Sequence, residues 1–115
     1  MLNSSSVISV EEARKLQQNW IDTRAAAIEK EMGMEDGREF LFSLDELQKF
    51  LEYVKENSKS ENPGIRIYLA AYNAKDKKGA TVFLAPTKDT SLHSENDYTL
   101  QPLNRAMQGM PPRNY

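Results

Sequence analysis

The chain has 115 residues, a net charge of −2 and 39% hydrophobic residues, which predicts one domain with a single core. It contains no cysteine, so disulfide frameworks, thiol catalysis and thiolate metal sites are excluded. A weakly acidic chain without a basic stripe is not expected to bind nucleic acid. No apolar run approaches the roughly 20 residues that cross a bilayer, so no membrane span is expected either.

The chain divides into three parts by composition. Residues 1–8 are expected to form a flexible N-terminus. They lack the basic region and the apolar run of a secretory signal, which predicts a cytoplasmic protein. Residues 9–87 hold the periodic apolar segments and form the predicted α+β domain. Residues 88–115 are irregular and are expected to be a loop and a C-terminal segment that packs on this domain.

The first predicted element is a long amphipathic helix. Ser9 and Glu12 form a capping box, in which side-chain oxygens satisfy the first helical amides. The helix is predicted from about Val10 to Met32, because Gly33 readily takes the left-handed conformation that ends a helix. Its apolar side is made by the following residues: Ala13, Leu16, Trp20 and Ala27, flanked by Ile21, Ala25, Ile28 and Met32.

A short strand and a second helix follow. Residues 38–42 are aromatic and apolar enough for a strand. Ser43 and Glu46 form a second capping box, which starts a helix that reaches about Asn57. Its predicted core side is made by four residues: Leu47, Phe50, Leu51 and Val54.

The clearest strand is predicted over residues 65–72. Its odd-numbered residues, Ile65, Ile67, Leu69 and Ala71, lie on one side, and Arg66, Tyr68, Ala70 and Tyr72 lie on the other. A polar turn at 74–79 leads to a partner strand at 81–85, and residues 98–103 are predicted to add a short edge strand, limited by Pro102.

These elements predict an α+β fold in which two amphipathic helices pack on one face of a small mixed sheet with three to four strands. A parallel pairing of the strands before and after the second helix would require a right-handed crossover. The C-terminal segment is predicted to be irregular.

Common catalytic and metal-binding patterns are missing from the sequence. The only histidine, His93, lies in a polar loop without further ligands nearby, which indicates a surface histidine. No phosphate-binding or nucleophile-elbow motif is present. The acidic residues at 29–36 lack the spacing of a calcium loop and are read as solvated side chains. We therefore expect no cofactor and no metal, and the sequence favours a protein that is not an enzyme.

The most suggestive group of side chains is the even-numbered side of the central strand. Arg66, Tyr68 and Tyr72 are expected to stand in a row, with Arg38 joining from the neighbouring strand. Tyrosine and arginine are enriched at binding hot spots. The row is open to three interpretations: it is covered by the C-terminal segment, it binds a partner or a second copy, or it holds a small ligand. The apolar C-terminal residues, Leu100, Leu103, Met107 and Met110, are expected to dock on this sheet or on a partner.

Five motifs follow one another along the chain: Ile8-Ser9-x-x-Glu12-Ala13, Asn19-Trp20-x-x-Thr23-Arg24, Gly64-Ile65-Arg66-Ile67-Tyr68, Thr81-Val82-Phe83-Leu84-Ala85-Pro86-Thr87 and Gly109-Met110-Pro111-Pro112. In this order they resemble a group of small bacterial proteins, typically from Bacteroidota, with no established activity. The resemblance covers most of the chain and implies a bacterial cytoplasmic setting. It implies no catalytic residue.

Two functional hypotheses follow from the sequence. The first is a non-enzymatic binding or assembly module that acts on a protein partner or on a second copy through the sheet face and the C-terminal segment. The second is a small-ligand-binding protein or small enzyme with a pocket between sheet and C-terminal segment. In this second hypothesis Arg24, Arg38 and Arg66 attract an anionic ligand and Tyr68 hydrogen-bonds it.

Overall fold

The computed structural model of the protein describes residues 3–73, 78–104 and 107–115. The elements in chain order are a 3₁₀ turn Ser4–Ser6, α1 Val10–Trp20, a π-helical segment Ile21–Ala25, α2 Ala26–Met32, β1 Phe40–Leu41, α3 Leu44–Asn57, β2 Gly64–Asn73, β3 Lys78–Thr87 and β4 Met107–Gln108. The predicted α+β class is confirmed. The predicted turn after β2 falls largely on residues 74–77 and so lies outside the described residues.

The N-terminal helix begins and ends where the sequence predicts. Ser9 Oγ accepts the N–H of Glu12 at 3.0 Å, and Gly33 has a left-handed φ of 77° at the other end. The π-helical segment interrupts the α-helical pattern from Ile21 to Ala25. The hydroxyl of Thr23 donates to the carbonyl of Asn19 there. A π turn holds one more residue than an α turn, so it rotates the side chains that follow relative to those before it.

This helix contributes no buried side chain to the core. Its partly covered side is made by Ala13, Gln17, Trp20, Ile21, Ala25 and Ile28. Leu16 and Met32, which belong to the predicted apolar side, remain 62% and 67% exposed. The expectation that both helices pack on one sheet face therefore holds for α3 only.

Helix α3 follows the second capping box. Ser43 Oγ accepts the N–H of Glu46 at 3.0 Å, which starts the helix as predicted. Phe50 and Val54, one turn apart, are buried, whereas Leu51 is 45% exposed. The preceding strand β1 is short and pairs antiparallel with β4.

The main sheet element is the antiparallel hairpin of β2 and β3. Their register runs without interruption from Gly64 opposite Thr87 to Asn73 opposite Lys78. The exposure of β2 alternates along the strand from Arg66 onwards, so the predicted alternation of side chains is confirmed. The two strands form a sheet of their own, and β1 and β4 form a second one.

The backbone of residues 95–103 runs along the other edge of β3. Leu84 and Leu103 exchange both backbone hydrogen bonds, at 2.8 and 2.9 Å, and the N–H of Asp97 donates to the carbonyl of Pro86 at 2.9 Å. The predicted edge strand over 98–103 is reduced to an isolated bridge at Leu103, because residues 97–100 turn and Pro102 has no N–H to donate. The single mixed sheet of three to four strands is accordingly not confirmed.

The core lies where α3, β3 and the C-terminal segment meet. Four apolar residues are buried together: Phe50, Val54, Leu84 and Leu100. Partly buried residues pack around them: Phe42, Leu47, Tyr53, Ile65 and Leu103. The hydroxyl of Tyr53 also accepts the N–H of Gln101 at 2.8 Å. Leu100 and Leu103 of the segment after residue 88 thus contribute to the core. Among the described residues, no helix is both long and apolar enough to cross a membrane.

Candidate functional site

The predicted row of Arg66, Tyr68 and Tyr72 lies on one side of β2. We call these three residues the polar–aromatic row. All three side chains are partly buried, because residues 92–104 lie against them. The alternation of β2 places them on the same side, as its period of two residues requires.

Arg66 holds the loop that follows β3. Its Nη1 donates to Asn96 Oδ1 at 2.7 Å, and its Nη2 donates to the carbonyl oxygens of Ser94 at 3.0 Å and of Leu92 at 3.3 Å. These acceptors are neutral oxygens. The planar guanidinium group therefore acts as a clamp that joins three positions of the loop to β2.

Tyr68 and Tyr72 complete the row. The hydroxyl of Tyr68 accepts a hydrogen bond from Asn96 Nδ2 at 2.7 Å, and its ring stacks on Phe83 with 5.0 Å between the ring centroids. The hydroxyl of Tyr72 donates to Asn104 Oδ1 at 2.6 Å. Asn104 in turn donates to the carbonyl of Val82 at 2.9 Å. Both tyrosines therefore connect β2 to the C-terminal segment.

The electrostatic environment of Tyr68 favours its ionised form. The hydrogen bond from Asn96 lowers the pKa of Tyr68 most, and the hydrogen bond and positive charge of Arg66 lower it further, whereas desolvation opposes the shift. A phenol with a lowered pKa between a cation and an amide donor is suited to accepting hydrogen bonds. Both groups that lower the pKa of Tyr68, Asn96 and Arg66, belong to its own chain.

The other two predicted arginines have different partners. Arg38 is 11% exposed, lies 3.6 Å from Glu35 Oε1 and donates to Asn114 Oδ1 at 2.9 Å. Its Nε is buried without a hydrogen-bond partner among the described residues. Arg24 is exposed on the π-helical segment and donates to Thr23 Oγ1 at 3.2 Å. Each of the three arginines is thus bonded to a different part of the chain.

A cavity of about 320 Å³ lies between the hairpin and the C-terminal segment. The hairpin contributes Tyr68, Phe83, Ala85 and Pro86 to its wall, and the segment contributes Asn96, Asp97, Tyr98, Leu100 and Pro102. The cavity is thus apolar with a few polar groups, which is the usual make-up of a small-molecule pocket.

A second, more open groove adjoins this cavity. It has a volume of about 440 Å³ and is lined in part by Arg66, Lys88 and Asn96. Lys88 forms an ion pair with Glu95 at 2.9 Å, so its charge is already paired. Among the described residues, no group of three or more histidine or acidic side chains is arranged to hold a metal ion.

The opposite side of β2 is the surface that sequence reasoning missed. Ile67 and Leu69 are 65% and 76% exposed, and Ala71 is also exposed. We call these three residues the outer apolar row. Ile65 on the same side packs against the core. The alternation in the sequence identifies this row, but it does not indicate that the core covers Ile65 and Leu84 while it leaves Ile67 and Leu69 exposed.

Comparison of the chain with protein-family models, with curated proteins and with solved structures found no match.

Proposed function

We propose that this chain is a non-enzymatic binding or assembly module. In this proposal, the polar–aromatic row holds the C-terminal segment on one side of β2, and the outer apolar row on the other side contacts a macromolecular partner. The observation that carries the proposal is the exposure of Ile67 and Leu69, 65% and 76%, in the middle of a ten-residue strand.

Three side chains fix the backbone behind this surface through five hydrogen bonds. Arg66 clamps three positions of the loop, and Tyr68 and Tyr72 bond to Asn96 and Asn104. A strand whose backbone is fixed before association loses less conformational entropy when a partner binds. The polar–aromatic row thus serves binding indirectly, by holding β2 in place.

Burial of the exposed apolar side chains would favour association with a partner. Full burial of a leucine or isoleucine side chain is favourable by about 1.5–3 kcal/mol relative to exposure in water. Ile67 and Leu69 are adjacent members of one row, so a single partner surface can cover both. The C-terminal segment adds exposed contact residues of the type found at interfaces: Tyr98 at 89% and Tyr115 at 62%.

The test uses size-exclusion chromatography with light scattering. It compares the mass of the species that contains the chain in native extract with the mass of the pure protein. We expect a species larger than the 13.1 kDa monomer. Replacing both Ile67 and Leu69 by serine should return the chain to monomer size with an unchanged circular dichroism spectrum. Leu92→Ser is the matched control, because Leu92 is 84% exposed and lies outside β2. A chain that is monomeric in both extract and pure form would refute the proposal.

A second candidate function is supported by the cavity of about 320 Å³ between hairpin and C-terminal segment. An anionic ligand with an apolar body would place its charge near Arg66, in the adjoining groove, and its body against Phe83 and Leu100. Truncation at residue 98 would not test this cleanly, because it removes Leu100 from the core.

Calorimetric titration with benzoate and with inorganic phosphate provides a cleaner test of the cavity. We expect a binding signal that Arg66→Gln weakens. Arg24→Gln is the matched control, because Arg24 is exposed on the N-terminal helix and bonds there to Thr23. Absence of binding by both probes, or equal weakening by both variants, would reject this candidate.

A further inference from the structure

The outer edge of β2 has a defined set of backbone groups. Leu84 exchanges its backbone hydrogen bonds with Leu103, and the carbonyl of Pro86 bonds to Asp97. The groups of Leu84 and Pro86 therefore point away from β2. Because opposite residues of an antiparallel ladder share one hydrogen-bonding type, their partners Ile67 and Ile65 also point their backbone groups away from β3.

The same alternation extends this pattern along the strand. The N–H and C=O groups directed to the outer edge belong to Ile65, Ile67, Leu69 and Ala71. In the described part of the chain, β2 pairs with β3 alone. The outer edge thus combines available backbone donors and acceptors with the outer apolar row.

This edge lacks the features that normally keep edge strands apart. Proteins protect such edges with short strands, charges, prolines or bulges. Strand β2 has ten residues, contains no proline and keeps an uninterrupted register with β3. Its only charged residue is Arg66, whose guanidinium group bonds to the loop on the other face.

The single chain exposes more surface than a compact domain of its mass. The accessible surface is 9373 Å², whereas a compact monomer of this mass exposes about 6,400 Å². The radius of gyration is 16.2 Å, against about 13 Å for a compact domain of this length. This excess belongs to the whole chain, and at β2 it includes the side chains of Ile67 and Leu69, which are 65% and 76% exposed.

The residue pattern of β2 is complementary to itself. In an antiparallel pairing that places Ile67 opposite Leu69 of a second copy, Ile65 lies opposite Ala71 and Arg66 lies opposite Ala70. Ile65 and Arg66 then meet alanines, Ile67 meets another aliphatic side chain, and the two arginines do not face each other. A two-fold axis requires such a self-complementary surface, and it would pass at Tyr68.

From these observations we infer that β2 is a dimerisation strand, which pairs antiparallel with β2 of a second copy and joins the two hairpins into one four-stranded sheet. The pairing forms about eight backbone hydrogen bonds, two for each of the four outward-facing residue pairs. This inference rests on the proposed function, since it names the partner of that module.

Sedimentation velocity of the pure full-length protein tests the inference first. We expect a dimer of 26.2 kDa, twice the 13.1 kDa of one chain. Leu69→Pro removes an N–H that points outward and leaves the β2–β3 hydrogen bonds in place, so it should give monomers. Leu69→Lys should do the same through its charge. Leu92→Lys is the matched control and should remain dimeric, because Leu92 is exposed on the loop instead of β2.

Engineered cysteines test the register, since the chain has no cysteine of its own. The double variant Ile67→Cys, Leu69→Cys places the two thiols opposite each other across the copies, with Cα atoms about 5.5 Å apart, a distance that a disulfide can span. Mild oxidation should give a covalent dimer. The control Leu69→Cys, Ala71→Cys has the same spacing within the chain but a different register, and it should cross-link far less.

The outcomes separate this inference from the proposed function. A pure protein that is monomeric while the chain in native extract is larger would overturn the second-copy inference and leave the binding module in place. A pure dimer that Leu69→Pro and Leu69→Lys do not dissociate would overturn the role of β2. Equal cross-linking of both cysteine pairs would overturn the register.

Discussion

Leu100 provides the sharpest test of whether the C-terminal segment belongs to the core. Its side chain is 8% exposed and packs with Phe50, Val54 and Leu84. Leu100→Ala removes three carbon atoms, which lowers the free energy of unfolding by about 2 kcal/mol through lost transfer energy alone. Leucine-to-alanine changes in cores reach about 5 kcal/mol where a closed cavity remains.

The position of Leu100 sets the expected value near the lower end of this range. Leu100 lines the open cavity of about 320 Å³ between hairpin and segment, so water can enter the space that the side chain leaves. We therefore expect a loss of about 2–3 kcal/mol. A domain of this size has a stability of about 6–17 kcal/mol, so the variant should still fold.

Urea unfolding followed by circular dichroism measures this loss. With the denaturant dependence usual for small domains, the midpoint should fall by about 1–2 M. Leu92→Ala is the control in the same segment, and because Leu92 is 84% exposed, its effect should stay within about 0.5 kcal/mol. If the free energies of unfolding of the Leu100→Ala and Leu92→Ala variants differ by less than about 0.5 kcal/mol, Leu100 does not pack in the core. This result would refute the explanation.

Two further changes test local features of the hairpin and its surroundings. Asn96→Ala should raise the pKa of Tyr68 towards its ordinary 10.0, because Asn96 donates the hydrogen bond that lowers it most; an unchanged tyrosinate absorbance titration would contradict this. The pKa of Tyr68 is lowered in the folded state, so the contribution of Tyr68 to the free energy of unfolding should rise with pH between that lowered pKa and its ordinary value. The Asn96→Ala variant should show a smaller rise. Gly64→Ala should cost about 2–3 kcal/mol, because its Cβ would lie 2.6 Å from Thr87 Oγ1. Gly33→Ala should cost only about 1–2 kcal/mol, since it meets no atom within 4 Å and suffers only from its φ of 77°; thermal denaturation giving the reverse order would refute both explanations.

The elements with local signals were predictable from the sequence. Ser9 and Ser43 start their helices because each side chain accepts an amide three residues ahead. Gly33 ends the first helical segment because only glycine takes a φ of 77° at little cost. The alternation of β2 follows from the pleat of a strand.

The pairing of the strands depends on contacts that no local pattern encodes. Strand β1 pairs with β4, which lies more than 60 residues later in the chain, instead of with the neighbouring hairpin. The prediction of one mixed sheet was based on the order of elements alone. Short strands such as β1 carry too few residues to specify a partner through their side chains.

Whether the predicted residues form a functional site stays a prediction, but their surroundings in the fold are now described. The sequence predicted the polar–aromatic row and left open whether the C-terminal segment, a partner or a ligand contacts it. Asn96 and Asn104, which bond to this row, were not identified, because single asparagines in a polar loop carry no pattern. Nor was the exposure of Ile67 and Leu69 foreseen. An alternating strand indicates two faces, but which face is covered depends on where α3 and the C-terminal segment dock.

The two faces of β2 also determine which substitutions can separate folding from binding. Alanine replacement of Arg66, Tyr68 and Tyr72 removes five hydrogen bonds to residues 92–104, so any loss of association would be confounded with release of the C-terminal segment. Changes at Leu69 avoid this difficulty, since its side chain is 76% exposed and its backbone groups point away from β3. If a substitution of Leu69 abolishes association and leaves the pKa of Tyr68 unchanged, binding is assigned to the side of β2 that carries the outer apolar row. The polar–aromatic row then still holds the C-terminal segment in place.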